Sequence, residues 1–172
     1  MKRHIVLIGL PGAGKTTVGR LVAEQLQSGF VDVDAAIIRK MGMPVTQIFG
    51  QFGEAKFREV EKEITEGAIQ GPPCVISPGG GWAAQDGAIE AARAGSFIIY
   101  LKVLATTAAK RAGGEDTRPL LAGQDPNEQM RALLKEREPY YLKADAEVKA
   151  DTTGAAAVAS QIVALARQRA GW

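Results

Sequence analysis

Cysteine is nearly absent from this sequence, since Cys74 is the single one among 172 residues. An internal disulfide bond is therefore excluded, and a lone thiol suits a reducing compartment. Cys74 lies in the apolar stretch CVIS, which favours a small core residue over a nucleophile. The net charge is only +2 and gives no indication of nucleic-acid binding. No apolar run approaches the length of a membrane span, so we expect a cytoplasmic protein without a membrane partner.

Repeats, low-complexity tracts and linkers are absent as well, which together with the length predicts one domain over residues 1–172. Short apolar stretches alternate with helical patterns, as is typical of an α/β fold with a parallel sheet. The predicted strands are Ile5–Ile8, Phe30–Val33, Cys74–Ser77, Phe97–Leu101 and Glu147–Ala150. The predicted helices are Lys15–Gln27, Val45–Phe52, Glu54–Ile69, Gly87–Ala94, Ala105–Ala112, Glu128–Tyr141 and Gly154–Arg169. The Gly- and Pro-containing stretch GGEDTRPLLAGQDPN interrupts this pattern, and we expect a lid at about residues 113–126.

A phosphate-binding loop is the strongest motif in the sequence. The stretch GLPGAGKTT, from Gly9 to Thr17, fits G-x-x-x-x-G-K-[ST] and lies between a predicted strand and a predicted helix. Backbone N–H groups of such a loop and the positive end of the helix dipole bind phosphate oxygens. We expect Lys15 to reach the β- and γ-phosphates of ATP and the Thr16 hydroxyl to ligate Mg²⁺. The predicted ATP-binding residues of the loop are Gly12, Ala13, Gly14, Lys15, Thr16 and Thr17.

A phosphate loop does not identify the acceptor, because the same fold serves kinases, GTPases and motor ATPases. The Asn-Lys-x-Asp motif typical of GTPases is absent. In the predicted strand FVDVD, Asp32 and Asp34 share a face because side chains alternate, and they lie at the carboxyl end, where open α/β sheets bind ligands. We expect Asp32 to orient Mg²⁺ through water and Asp34 to position the acceptor hydroxyl or act as its base. The alternative interpretation is a pair of solvated aspartates.

Two stretches suggest how a small acid could be bound. In EAKFREVE, helical spacing places Arg58 beside Glu61, so that Arg58 can direct its guanidinium into a pocket while Glu61 holds it. A surface ion pair worth about 0.3–0.5 kcal/mol is the alternative. In SPGGGW, three glycines at Gly79–Gly81 leave backbone N–H groups open to a small polar ligand, although a flexible turn would have the same sequence.

Three further arginines are candidates for binding anions. Arg118 lies in the predicted lid and Arg111 at its hinge, and a lid arginine can offset the charge that builds up during phosphoryl transfer. Arg137 precedes a proline near a predicted helix break in KEREPYY and could supply a second guanidinium. An exposed loop cation and a solvated helix residue are the respective alternatives.

These motifs, in this order and spacing, resemble the shikimate kinases, small P-loop kinases related to nucleoside monophosphate kinases. The resemblance runs from about Ile5 to the helix that contains Tyr140. It implies a P-loop kinase fold with a five-stranded parallel sheet, a mobile lid and a substrate-binding helical segment at about residues 33–61. It also implies transfer of the γ-phosphoryl group of ATP, with Mg²⁺, to the 3-hydroxyl group of shikimate. The roles that it implies are shikimate carboxylate binding by Arg58 and Arg137, with Gly80 and Gly81 nearby, ring-hydroxyl contact by Asp34, closure over ATP by Arg118, and adenine contact by Arg111.

The sequence departs from the family pattern in four places. Ile38 stands where similar proteins often carry an acidic residue, and Pro78 and Trp82 flank the glycines where small or aliphatic residues are more usual. The stretch DTTGAAA lacks the arginine that some relatives place beside adenine. These substitutions bear more on affinity than on reaction class. Two alternatives remain: a gluconate kinase or another hydroxy-acid kinase, and a non-catalytic nucleotide-binding module in which Ile38 marks lost chemistry. We expect a monomer, because no apolar stripe is left over after the core helices are assigned.

Overall fold

Five parallel strands form the sheet at the centre of the computed structural model, which describes residues 1–112 and 125–172. The strands are β1 His4–Ile8, β2 Phe30–Asp32, β3 Val75–Ser77, β4 Ser96–Lys102 and β5 Ala146–Lys149. Their order across the sheet is β2-β3-β1-β4-β5, and every neighbouring pair is parallel. In this register Ile5 lies between Val75 and Phe97. The predicted five-stranded parallel sheet is confirmed.

Seven α-helices accompany the strands within the described residues. They are α1 Lys15–Leu26, α2 Val33–Met41, α3 Val45–Gln70, α4 Ala88–Ala92, α5 Ala105–Ala112, α6 Pro126–Tyr141 and α7 Ala155–Arg169, and a 3₁₀ turn covers Trp82–Ala84. None of these helices combines the length and the apolarity that crossing a bilayer demands. The predicted lid falls almost entirely on residues 113–124, which lie outside the described residues.

Helix α2 corrects the prediction that Asp32 and Asp34 share one strand face. Strand β2 ends at Asp32, whose carboxylate caps the following helix by accepting a hydrogen bond from the Ala35 N–H at 3.1 Å. Aspartate is a preferred N-cap residue, and a second acid in the first turn complements the helix dipole. Val33 and Ile37, one turn apart, are both fully buried. Asp34 is therefore placed by the first turn of a helix and not by strand alternation.

Helix α3 contains a kink at Gly53, whose φ of 80° and ψ of 170° are not helical. The two separate helices predicted on either side of this residue agree with the kink. A left-handed φ is open to glycine and disfavoured for other residues, so the sequence marks the bend. Beyond the kink, Phe57 and Val60 are buried in the core, while Glu61, also buried, contacts Arg58.

The core is built mainly on the central strands. Every residue of β1 is buried, as are the first six of β4, which explains why both strands are almost continuously apolar in sequence. Cys74 belongs to this core, and burial raises the pKa of its thiol. The thiol therefore stays protonated at neutral pH, which supports the prediction of a core residue over a nucleophile.

Candidate active site

A cavity of about 250 Å³ lies where the phosphate loop meets the ends of β2 and β3. Its lining residues are Pro11, Gly12, Gly14, Lys15, Thr16, Thr17, Asp32, Asp34, Ser77, Pro78, Arg111 and Ala112. We call it the phosphate cavity. Ala13 does not line it, because this residue is buried and its N–H donates to the Leu10 carbonyl at 3.1 Å. The structure thus brings together five of the six loop residues predicted to bind ATP.

The Lys15 ammonium lies inside the phosphate loop. Its Nζ donates to the carbonyls of Gly9 and Leu10, both at 2.8 Å, and only 9% of the residue is exposed. The carbonyl oxygens hold the charge at the wall of the phosphate cavity. A lysine placed in this way can attract an anion without a large rearrangement of the backbone.

Thr16 and Asp32 bring a hydroxyl and a carboxylate together in the lining of the phosphate cavity. The Thr16 hydroxyl donates to Asp32 Oδ2 at 3.1 Å, and Asp34 lines the same cavity. Hydroxyl and carboxylate oxygens are suitable ligands for Mg²⁺, which usually keeps several water molecules and binds substrate phosphates as well. No group of three His, Cys, Asp or Glu side chains in residues 1–112 and 125–172 could hold a metal by itself. The residues present therefore fit a magnesium ion that is shared with a phosphate ligand.

The residues predicted to bind the phosphoryl acceptor all approach three consecutive glycines. A Cβ atom on Gly79 would lie 3.1 Å from Asp34 Oδ1, and one on Gly80 would lie 3.2 Å from Arg137 Nη1. A Cβ atom on Gly81 would lie 2.5 Å from Arg58 Nη2. A side chain at Gly81 would therefore displace the Arg58 guanidinium from its present position. Arg58 and Arg137, far apart in sequence, thus approach adjacent residues of one turn, which we call the glycine turn.

Arg58 belongs to a largely buried ion pair. Its Nη1 donates to Glu61 Oε1 at 2.8 Å, and the two side chains are 12% and 1% exposed. The alternative of a surface ion pair is therefore wrong for Arg58 and Glu61. The Nε atom of Arg58 is buried and has no hydrogen-bond partner in the described part of the chain.

Arg137 is also buried, at 5% exposure, which overturns the alternative of a solvated helix residue. Helix α6 continues through Pro139 to Tyr141, so Arg137 lies within the helix and not at a break. Its Nη1 atom has no hydrogen-bond partner among the described residues. Since a buried N–H group without a partner is costly, this nitrogen is suited to an anionic ligand.

A larger cavity of about 640 Å³ lies between α3 and the segment from the 3₁₀ turn to α4. Arg58, Glu61 and Trp82 are among its lining residues, and none of the lining comes from the phosphate loop. Trp82 is only 4% exposed and packs at this cavity. Lys15, Thr16 and both aspartates line the smaller phosphate cavity instead.

Of the two remaining predicted residues, one lies within the described residues and one outside them. Arg111 lines the phosphate cavity, and its Nη1 donates to the Ala150 carbonyl at 3.2 Å. Arg118 lies outside the described residues. Tyr141, whose hydroxyl donates to the Gly80 carbonyl at 2.6 Å, was not predicted from the sequence. Its position one helical turn after Arg137 is the sequence signal that could have indicated it.

Comparisons with known proteins identify the family of this chain. A family model described as shikimate kinase matches residues 11–167. The shikimate kinase of Moorella thermoacetica is 45% identical over 94% of this chain and 93% of that protein, and that of Mycobacterium avium is 46% identical over 88% and 85%. The solved shikimate kinase of Acinetobacter baumannii in complex with shikimate superposes with a TM-score of 0.92 at 32% identity, covering 98% of this chain and 94% of that one. The prediction made from the motifs is confirmed, and this chain belongs to the shikimate kinase family.

Proposed function

We propose that this chain transfers the γ-phosphoryl group of ATP to the 3-hydroxyl group of shikimate, giving shikimate 3-phosphate and ADP. The observation that carries the proposal is the approach of Asp34, Arg58 and Arg137 to three consecutive glycines beside the phosphate cavity. Family membership supports both the reaction and the acceptor. The Acinetobacter baumannii relative is in complex with shikimate, a small hydroxylated carboxylic acid of the kind that this arrangement suits.

The acceptor side matches a small hydroxylated carboxylic acid. A guanidinium offers paired N–H donors that fit the two oxygens of a carboxylate. Buried nitrogens of Arg58 and Arg137 lack partners within the described residues, and a carboxylate can accept from both. We assign shikimate binding to Arg58, Arg137, Gly80, Gly81 and Asp34. A nucleoside monophosphate fits less well, because it would also need a pocket for its base.

The donor side follows the phosphate loop. We assign ATP binding to Gly12, Gly14, Lys15, Thr16, Thr17, Arg111 and Arg118, and leave out Ala13, which does not line the phosphate cavity. We assign Mg²⁺ to Thr16 directly and to Asp32 through water, as their hydrogen bond at 3.1 Å suggests. When bound, Mg²⁺ neutralises charge on the β- and γ-phosphates.

Three residues carry the chemical step in this proposal. Asp34 accepts the hydrogen bond of the 3-hydroxyl and takes its proton as the new bond between oxygen and γ-phosphorus forms. The bond from γ-phosphorus to the β,γ-bridging oxygen breaks, and its electron pair leaves with ADP. Lys15 and Arg118 offset the charge that develops. Catalysis is mainly positioning and electrostatic stabilisation, because phosphoryl transfer asks for little covalent chemistry from the protein.

The proposal extends to the organisation of the chain. One kinase domain spans residues 1–172, with a substrate-binding segment at about residues 33–61 and a lid at about residues 113–126. We also propose that the enzyme is a cytoplasmic monomer. Gel filtration combined with light scattering tests the monomeric state.

A substrate panel with ADP release as the readout tests the proposed function. The purified chain receives ATP and Mg²⁺ with shikimate, with gluconate, with other hydroxy acids, or with no acceptor. We expect ADP release above the no-acceptor rate with shikimate, formation of shikimate 3-phosphate, and loss of turnover on chelation of Mg²⁺ that added Mg²⁺ restores. Preferential turnover of gluconate would support the hydroxy-acid alternative, and ATP binding without turnover of any acceptor would support the non-catalytic alternative.

A further inference from the structure

Tyr141 reaches the glycine turn from the same helix as Arg137. Its hydroxyl donates to the Gly80 carbonyl at 2.6 Å, and both residues are buried. Gly80 is also the residue whose Cβ atom would lie 3.2 Å from Arg137 Nη1. Successive turns of α6 thus present a guanidinium and a hydroxyl to one glycine, and the hydroxyl is taken up by the backbone.

This hydrogen bond orients a whole peptide unit. The peptide bond after Gly80 is trans and planar, so a carbonyl directed at Tyr141 forces the N–H of Gly81 to point the opposite way. Gly81 is the residue packed against the Arg58 guanidinium. Glycines resist peptide rotation less than other residues do, so a turn of three glycines needs an external contact to keep one orientation.

The tyrosine ring is itself held firmly. Tyr141 is fully buried, and its ring lies 5.1 Å from that of Tyr100, centroid to centroid. The Tyr100 hydroxyl donates to Glu138 Oε2 at 3.1 Å. Burial and the neighbouring Glu138 raise the pKa of Tyr100, so its hydroxyl remains a donor. The two rings are therefore a matched pair of buried tyrosines, and within the described residues the glycine turn receives its hydroxyl hydrogen bond from Tyr141 alone.

We propose that Tyr141 is a positioning residue for shikimate, whose hydroxyl holds the Gly80–Gly81 peptide in the orientation that the bound acid requires. The proposal rests on the function proposed above and adds to it a residue that does not line the phosphate cavity. Loss of the hydroxyl leaves the Gly80 carbonyl buried without this donor, and the turn then relaxes toward other orientations. The Arg58 and Arg137 guanidiniums would lose the fixed backbone between them.

Steady-state kinetics of wild type, Tyr141→Phe and Tyr100→Phe test this role. We expect Tyr141→Phe to raise the KM for shikimate about three- to tenfold while the KM for ATP stays within about twofold of wild type. Tyr100→Phe removes a comparable buried hydroxyl, and we expect it to change neither KM. A shikimate KM within about twofold of wild type for Tyr141→Phe, or an equal increase for both variants, would overturn the proposal.

Two further readings separate the proposals from one another. If the wild-type chain does not phosphorylate shikimate, both the proposed function and this inference are refuted. If wild type is active and Tyr141→Phe has an unaltered KM for shikimate, only the role of Tyr141 is refuted. NMR relaxation of unliganded wild type gives a result even if the variant does not fold. We expect Gly80 and Gly81 amide order parameters of about 0.85, and values below about 0.6 would contradict a held turn.

Discussion

At the scale of single residues, Arg58 works within a small buried network. Its Nη1 donates to Glu61 Oε1 at 2.8 Å, and a Cβ atom on Gly81 would lie 2.5 Å from its Nη2. The guanidinium is therefore fixed from two sides before any ligand binds. Because breaking a buried ion pair is strongly destabilising, Arg58 contributes to the stability of the chain through its contact with Glu61.

We expect Arg58→Ala to weaken shikimate binding about ten- to a hundredfold and ATP binding by less than about threefold. The reason is that the guanidinium lies at the glycine turn, whereas the phosphate cavity has its own cation in Lys15. Isothermal titration of each ligand separately measures both effects. The variant should also melt at a lower temperature, because the buried Glu61 loses its ion pair with Arg58.

Two variants control this experiment. Arg58→Lys keeps the charge but loses the paired donors, so we expect an intermediate loss of shikimate affinity. Lys56→Ala removes an exposed cation from the same helix and should leave both affinities unchanged. Equal losses for shikimate and ATP in Arg58→Ala would contradict carboxylate binding at this residue.

Arg58 and Arg137 could be proposed as site residues from the sequence, but their burial could not be predicted. Motif spacing pointed to Arg58 and Arg137, although each residue considered alone suits an exposed helix surface. Their burial depends on the glycine turn, which comes from a distant part of the chain. Tyr141 was not predicted, because its spacing from Arg137 places it on the same helix face but does not indicate that its hydroxyl binds a distant backbone carbonyl.

At the scale of secondary structure elements, apolar spacing predicted most of the helices and strands. The exception is the start of α2, which is set by a capping residue. The alternation in FVDVD resembles a strand, yet Asp32 caps α2 and ends β2. With no loop between strand and helix, nothing in the local pattern separated them. The break in α3 could be predicted, because glycine at position 53 interrupts an otherwise helical pattern.

The kink at Gly53 is expected to matter for binding as well as for stability. Gly53 has a φ of 80°, and no heavy atom lies within 4 Å of its Cβ position. Gly53→Ala therefore meets conformational strain without a clash, which we expect to cost about 1 kcal/mol and lower the Tm by about 2–4 °C. Because the kink sets the direction of the helix that carries Arg58, the KM for shikimate should rise more than that for ATP. Thermal unfolding and steady-state kinetics measure the two effects.

Gly67 provides the matched control in the same helix. It has an ordinary helical backbone and, like Gly53, no heavy atom within 4 Å of its Cβ position. Gly67→Ala should raise stability by about 0.5–1 kcal/mol through helix propensity and leave both KM values unchanged. If both alanine variants stabilise the protein, the kink at Gly53 is not required by the fold.

At the scale of the whole molecule, the site lies at the carboxyl ends of the strands. Residues 1–3 and 170–172 meet at the opposite, amino ends. The phosphate loop follows the carboxyl end of β1, whereas Arg3 precedes its amino end. There the Arg3 N–H donates to the Ala170 carbonyl at 3.0 Å, and the Trp172 Nε1–H donates to the Arg3 carbonyl at 2.9 Å. Lys2 Nζ lies 4.6 Å from the centroid of the Trp172 ring. These contacts join α7 to the start of the central strand, away from any predicted ligand.

This separation predicts that stability and catalysis can be changed independently. Trp172→Ala removes a hydrogen bond, a cation–π contact and partly buried apolar area, and we expect a loss of about 2 kcal/mol and a Tm lower by about 4–8 °C. The KM values for shikimate and ATP should stay within about twofold of wild type at a temperature where the variant is folded. Trp172→Phe keeps an aromatic ring but not the N–H donor, so its Tm should lie between those of wild type and Trp172→Ala. A shift in either KM without a change in Tm would contradict this independence. It would mean that the Trp172 contacts influence the site through the packed strands between the two ends of the sheet.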